Sequence, residues 1–225
     1  MTTIGMVLFP NLTQLDLTGP YEVFCRLPNT QVKLVAATRE PVVTEYGLTI
    51  IPDLAFEDAP AFDVICVPGG PGVNQVLEDD AFLGFLRKHG EQARFVTSVC
   101  TGALLLGAAG LLRGYRATTH WLSLDLLRSV GADPVAERVV VDRNRITGAG
   151  VTSGIDLGLT VALLLHGEEV AQEIQLMMEY APVPPFQAGS PKTAPAEIVQ
   201  RVTAARQAIQ EERHWILSQI GRRPA

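Results

Sequence analysis

Short apolar runs alternate with longer amphipathic stretches along this chain, and turn residues mark most of the changes. Ile4–Phe9 is an apolar run ending at Pro10, the pattern of a buried strand. In Leu15-Asp16-Leu17-Thr18-Gly19-Pro20, Thr18 suits an N-cap and Pro20 a first helical turn, which predicts a helix opening over Tyr21–Arg26. Gln31–Ala37 reads as a strand. Pro41–Thr44 and Leu48–Ile51, joined through Glu45-Tyr46-Gly47, read as a hairpin. Asp63–Val67 is a strand that stops at Pro68-Gly69-Gly70-Pro71-Gly72, and Asp80–His89 is helical. Arg94–Val99 is a further strand, followed at once by Cys100 and a helix of small residues over Thr101–Ala109.

The second half continues the alternation. A helix is expected near Leu122–Ser129, then a second hairpin, Val139–Val141 with Arg145–Thr147. Gly148-Ala149-Gly150 breaks the pattern, and Ser153 with Asp156 has capping-box spacing before an apolar helix through Leu165. The Pro-rich stretch Ala181–Ala194 predicts an extended strap. Glu197–Ile220 predicts one long helix with Ile198, Val202, Ala205, Ile209, Trp215 and Ile216 as its apolar positions. Strands alternating with helices imply βαβ units, a mainly parallel sheet and, through right-handed crossovers, helices on both faces. The expected organisation is one α/β domain over 1–180, with the strap and C-terminal helix of 181–225 packed on it.

Composition narrows the function. The 225 residues are 47% hydrophobic and 19% charged with a net charge of −6, which excludes disorder and argues against nucleic acid as the main partner. No apolar stretch approaches the ~18 residues of a membrane span, and no basic-then-apolar leader opens the chain. Three scattered cysteines, Cys25, Cys66 and Cys100, do not form a disulfide framework, so a cytoplasmic protein with reduced thiols is expected.

Chemistry concentrates at Thr97-Ser98-Val99-Cys100-Thr101-Gly102. A strand ending at a cysteine with small flanks has the layout of a nucleophile elbow, and the helix start offers free N–H groups to a thiolate. The alternative is a small buried hydrophobe, the reading that also suits Cys66 inside its strand and Cys25 on the first helix. The Pro-Gly-Gly-Pro-Gly segment lets backbone approach a ligand, or is simply a tight loop; it is neither a P-loop nor a dinucleotide fingerprint. Asp16, between two leucines, is a cap, a solvated acid or a carboxyl with a tuned pKa; Glu22 lies further along the same segment. The four histidines, His89, His120, His166 and His214, show no metal-ligand spacing, so no metal is expected. His120, in Thr-Thr-His-Trp, is the one near other candidate groups, with structural hydrogen bonding as its plainer role.

Together these motifs resemble the ThiJ/PfpI (class I glutamine amidotransferase-like) superfamily across nearly the whole chain. Within it the details are similar to the isocyanide hydratases. The residues that carry this are Gln14–Pro20, Val67-Pro68-Gly69-Gly70, Thr97–Gly102, Ala108–Leu112, Arg116–Trp121, Glu179-Tyr180-Ala181-Pro182 and Pro184-Pro185-Phe186. Amidase-like domains of AraC-type regulators share Asp-Leu-x-Gly-Pro, Cys-Thr-Gly and Ala-Thr-Thr-His-Trp. Protease-like and glyoxalase-like members often place a His after the cysteine, where this chain has Thr101, and a Glu where it has Asp16. The Gly148-Ala149-Gly150-Val151 loop also departs from the hydratase pattern.

The resemblance implies a flavodoxin-like sandwich, a homodimer, no cofactor and a small-molecule isocyanide as substrate. It further implies that Cys100 attacks the isocyanide carbon while Asp16 handles protons. A thioimidate forms and is hydrolysed to an N-substituted formamide, with the backbone N–H groups of Gly70 and Thr101 holding developing negative charge or orienting water and His120 beside the substrate. The alternatives are a ligand- or redox-sensing protein without turnover, and another superfamily activity of glyoxalase or amidase type.

Overall fold

The computed structural model describes residues 1–220. Strands β1 (Thr2–Val7), β2 (Thr30–Ala36), β5 (Leu54–Ala55), β6 (Val64–Val67), β7 (Phe95–Val99), β10 (Val139–Asp142) and β11 (Arg145–Gly148) form one sheet. Their order is β10-β11-β7-β6-β1-β2-β5, and every pairing is parallel except the β10–β11 hairpin at the edge. Two small ribbons, β3 (Val42–Val43) with β4 (Thr49–Ile50) and β8 (Arg116–Ala117) with β9 (Asp133–Pro134), lie outside the sheet. The central strands are apolar on both sides: Val64, Ile65, Cys66 and Val67 have no exposed surface. That is the mark of parallel strands covered by helices on each face.

One face carries α1 (Gln14–Phe24), α5 (Ser153–His166) and α6 (Glu168–Met177). The other carries α2 (Val73–Val76), α3 (Asp80–Gln92), α4 (Gly102–Ala108) and α8 (Gln207–Ile220), with a 3-10 helix over Trp121–Val130 between them. The crossing of α1 with α5 is tight because glycine lines it. A Cβ on Gly154 would stand 2.8 Å from Pro20 Cδ, and one on Gly158 would stand 2.9 Å from Val23 Cβ.

Four expectations need correction. The first helix starts at Gln14, with Pro20 inside it and Thr13 as N-cap; Thr18 instead donates its hydroxyl to Gln14 Oε1 at 2.9 Å. A distant contact holds that start in place, since Thr13 N–H donates to Gly69 O at 2.9 Å. Leu122–Ser129 lies in a 3-10 helix, not an α-helix, and ends at Gly131 with φ 77°. No capping box opens α5: Ser153 Oγ is buried without a partner, and Asp156 accepts from Arg138 Nε at 2.8 Å and Tyr180 Oη at 2.9 Å. Tyr180 thereby latches the Pro-rich segment to α5.

The fourth correction is at the C-terminus. The long helix is broken at Arg206 into α7 (Ala196–Ala205) and α8. Ile198 and Val202 of α7 are exposed, whereas α8 buries Arg213, Ile216 and Leu217. Of the expected segment 181–225, residues 221–225 lie outside the described residues.

Candidate active site

Three neighbouring parallel strands bring the site together. Asp16 follows β1, Gly69-Gly70 follows β6 and Cys100 follows β7, so all three lie at the carboxyl edge of the sheet, where open α/β folds bind ligands. Cys100 has φ 55°, a left-handed conformation that a non-glycine residue adopts only when its surroundings enforce it. Here Cys100 N–H donates to Gly148 O at 3.0 Å, and Thr119 Oγ1 donates to Cys100 O at 2.7 Å. The small flanks expected of an elbow are required: a Cβ on Gly102 would meet Val67 O at 2.2 Å.

Asp16 is fully buried in the first turn of α1, so it is neither a solvated acid nor a cap. Its Oδ2 accepts Gly69 N–H at 2.9 Å, while Oδ1 makes no protein hydrogen bond of good geometry. The Cys100 thiol nonetheless couples to the carboxyl, as donor to acceptor. This contact lies outside ideal hydrogen-bond geometry. Burial pushes the Asp16 carboxyl up to about 7, partly offset by the Gly69 N–H and the Cys100 thiol.

The same burial, with the negative charge of Asp16, pushes the Cys100 thiol well above its ordinary value. The Thr101 N–H at the start of α4 pulls the other way without overcoming it. Burial and the Asp16 charge thus favour the thiol form of Cys100, against the pull of the helix end towards the thiolate.

Gly69 and Gly70 serve close approach. A Cβ on Gly69 would lie 2.5 Å from Thr101 N and 3.0 Å from Asp16 Oδ2. Gly70 lines the cavity, but its N–H is engaged by Thr101 Oγ1 at 3.0 Å, which differs from its expected role as a free donor to the substrate. Thr101 is fixed by that bond, with its own N–H turned to the Cys100 sulfur.

His120 lines the same cavity of about 410 Å³ as Cys100, Thr101 and Gly70. Its Nδ1 accepts Leu122 N–H at 3.4 Å, which leaves the proton on Nε2. Burial, then Arg213 and Arg206, pushes its pKa down to about 4, so the ring is neutral at neutral pH.

The other cysteines divide. Cys66 is buried in β6 as expected, its thiol pushed up to about 12 by burial. Cys25 is exposed at the C-cap of α1, contrary to the core placement the helix suggested; its N–H closes the last helical turn on Tyr21 O at 3.0 Å. Glu22 is an exposed acid paired with Arg26 at 2.7 Å.

Sequence reasoning missed Arg213. It reaches the cavity from α8, and a lone arginine on a terminal amphipathic helix carries no local signal of burial.

A Pseudomonas putida isonitrile hydratase is 57% identical over 196 residues, covering 87% of this chain and 86% of that protein. The HTH-type transcriptional regulator GbdR of Pseudomonas aeruginosa is 31% identical over 188 residues, 79% of this chain but 50% of the regulator. A solved ThiJ/PfpI family protein from Pseudomonas syringae superposes with a TM-score of 0.94 at 41% identity, covering 99% of this chain and 91% of that one. Residues 2–163 match the DJ-1/PfpI family. An elbow cysteine at the carboxyl edge of a flavodoxin-like sheet, and a family match that spans the whole sheet, have the same explanation: this chain is a member of the DJ-1/PfpI family.

Proposed function

We propose that this protein is a cysteine-dependent isocyanide hydratase, adding water to an isocyanide to give an N-substituted formamide. The observation that carries the reading is the juxtaposition of Cys100, which lines the cavity from its strand-to-helix elbow, with the fully buried carboxyl of Asp16. The likeness to the Pseudomonas putida enzyme supplies the electrophile, since isonitrile and isocyanide are the same functional group.

An isocyanide carbon must receive both a nucleophile and a proton. With Asp16 ionised, Cys100 Sγ forms the bond to carbon while its proton moves to Asp16, and Asp16 then protonates the carbon. The product is a thioimidate, R–N=CH–S–Cys100, with Asp16 again a carboxylate. In the second half, Asp16 takes a proton from water as the oxygen bonds to carbon, and passes it to nitrogen. Collapse of the tetrahedral adduct breaks the C–S bond. The hydroxyl proton returns through Asp16 to sulfur, and R–NH–CHO leaves. A group near pKa 7 suits both taking and giving a proton at neutral pH.

In this reading the Thr101 N–H steadies the developing charge on sulfur, Gly70 orients Thr101, and the neutral His120 offers Nε2–H to the substrate or water. No step requires a cofactor. A redox-sensor role fits less well, because sensing cysteines are exposed, low-pKa thiolates.

The same proposal includes a cytoplasmic homodimer. A free catalytic thiol calls for a reducing compartment. The apolar surface on Leu176, Met177, Val183 and Phe186, each at least 72% exposed, supports a second copy as the cover. The proposed organisation is one domain over 1–180 with 181–225 as its extension, supported by the burial of Ile216 and Leu217.

Purified protein given alkyl and aryl isocyanides should release the matching formamides, followed by NMR, and Cys100→Ala should release none. Folded wild-type protein that makes no formamide from any of them would overturn the proposal.

A further inference from the structure

Arg213 lies beyond residues 2–163, the stretch matched to the family, and comes from a helix whose sequence carries no motif. It is 3% exposed and lines the cavity that holds Cys100. Its three nitrogens all donate to neutral oxygens: Nε to Asn74 Oδ1 at 2.8 Å, Nη1 to Ser123 Oγ at 3.2 Å and Nη2 to Gly70 O at 3.4 Å. None of its described contacts is an ion pair with a carboxylate. Glu212, its neighbour in sequence, turns its Oε2 to Asn74 Nδ2 at 2.7 Å.

Glu212 acts on this guanidinium only through space. Burying a guanidinium with no carboxylate in direct contact is costly, and such a cation is retained where a negative charge appears or where geometry demands it. Both conditions meet here. Arg213 grips Gly70 at its carbonyl oxygen, and the same residue's N–H, in the preceding peptide, donates to Thr101 Oγ1 at 3.0 Å; Thr101 follows the nucleophile. The charged and titratable groups around Cys100 and its cavity are Asp16 from α1, Glu45 and Tyr46 from the β3–β4 turn, His120, Arg206 at the α7–α8 break and Arg213 from α8. With His120 neutral and Arg206 exposed at the rim, Arg213 is the buried positive charge in that set.

We propose that Arg213 is a positioning residue for the reaction: it clamps the Gly70 carbonyl and supplies the positive charge against which the Cys100 thiolate forms. The proposal rests on Cys100 being the nucleophile and adds that the terminal helix is part of the catalytic apparatus. Arg213 favours the charged thiol, while burial and Asp16 oppose it. The function would then depend on α8 being docked.

The test compares Arg213→Lys, which keeps the charge, with Arg213→Gln, which keeps polarity without it. Arg213→Met replaces the glutamine variant should that one fail to fold. The readout is the pH profile of Cys100 alkylation by iodoacetamide, in a Cys25→Ser background, checked by intact mass. This readout needs no isocyanide, so it fails independently of the substrate assignment. In the neutral variant the profile should move to higher pH by about one unit, a tenfold slower alkylation at pH 8, and Arg213→Lys should restore most of it. Formamide production should show lower kcat with KM little changed. A folded neutral variant with the wild-type alkylation profile would overturn the proposal, as would equal shifts in the lysine and neutral variants.

Discussion

Cys66 and Cys100 sit on adjacent strands of one sheet, are 0% and 5% exposed, and both have thiols raised by burial. They differ by where each strand ends. Cys66 is inside β6, registered against Met6 and Thr97, and its sulfur meets strand neighbours. Cys100 is one residue past β7, at φ 55°, where the chain reverses into α4 and faces both Asp16 and a cavity. Burial inside a strand, away from any cavity, therefore makes an inert thiol, even though the Asp16 charge reaches Cys66 as well. Burial beside a carboxyl that titrates near neutrality makes one that can give up its proton on demand.

The largest expected effect breaks that comparison outright. Cys100→Ala should abolish formamide production, while Cys66→Ala should keep it and lose about 1 kcal/mol or more of stability to the small cavity left behind. Activity assays beside denaturant melts measure both. Turnover surviving in folded Cys100→Ala would remove the distinction between the two sulfurs.

Asp16→Asn sharpens it. Proton transfer by a positioned group is worth ~10²–10⁴-fold in rate, and the loss should fall in that range. Because Asp16 holds the Cys100 thiol up, the variant should be alkylated faster than wild type at pH 8 even as turnover falls. Slower alkylation would mean that the carboxyl helps form the thiolate at rest, contrary to the contacts described.

Stability should respond as well. The folded pKa of Asp16, about 7, lies above its ordinary value of 3.8. Its contribution is therefore greatest below the unfolded value and is lost as pH rises through about 7, a penalty on the order of 4 kcal/mol at most. Asp16→Asn should gain stability relative to wild type at pH 8, lose more than half of that advantage by pH 5 and the rest below about 3.8, as read by thermal melts. In wild type, kcat/KM should rise with pH through about 7 as Asp16 ionises.

The smallest effect is at His120. Neutral, and bonded through Nδ1 to backbone, it should cost less than about tenfold as alanine, below the range of a true proton-transfer group, with the pH profile unmoved. A profile that loses its limb near 7 in His120→Ala would transfer the acid–base role to the ring.

Much of this was legible in the residues because it depends on neighbours in sequence. The apolar runs at 4–9, 63–67 and 94–99 mark the central strands, since a strand covered on both faces has no reason to alternate. Cys100 could be singled out because an elbow needs small residues beside it, and Ser98 and Gly102 provide them. The β10–β11 hairpin followed from a turn between two β-branched runs. Asp16 was visible only as an acid among leucines, and the motif it belongs to, rather than its periodicity, gave it a role.

Tertiary structure decided the rest, wherever a distant group set the outcome. The start of α1 at Gln14 depends on Gly69 O holding Thr13 N–H, so Pro20, a start signal in isolation, lies inside the helix. The Gly70 N–H was unavailable because Thr101 Oγ1 takes it, and Ser153 was no cap because its partner Asp156 is drawn to Arg138 and Tyr180. The break at Arg206, and with it the burial of Arg213, follows from docking α8 against the 3-10 helix and α2. The chain by itself determined the sheet, the elbow and the cysteine in it, because local sterics and hydrophobic pattern are properties of a few consecutive residues. The protonation of Cys100, the pKa of Asp16 and the presence of a buried guanidinium belong to the folded molecule, because desolvation and charge act through space between residues far apart in sequence.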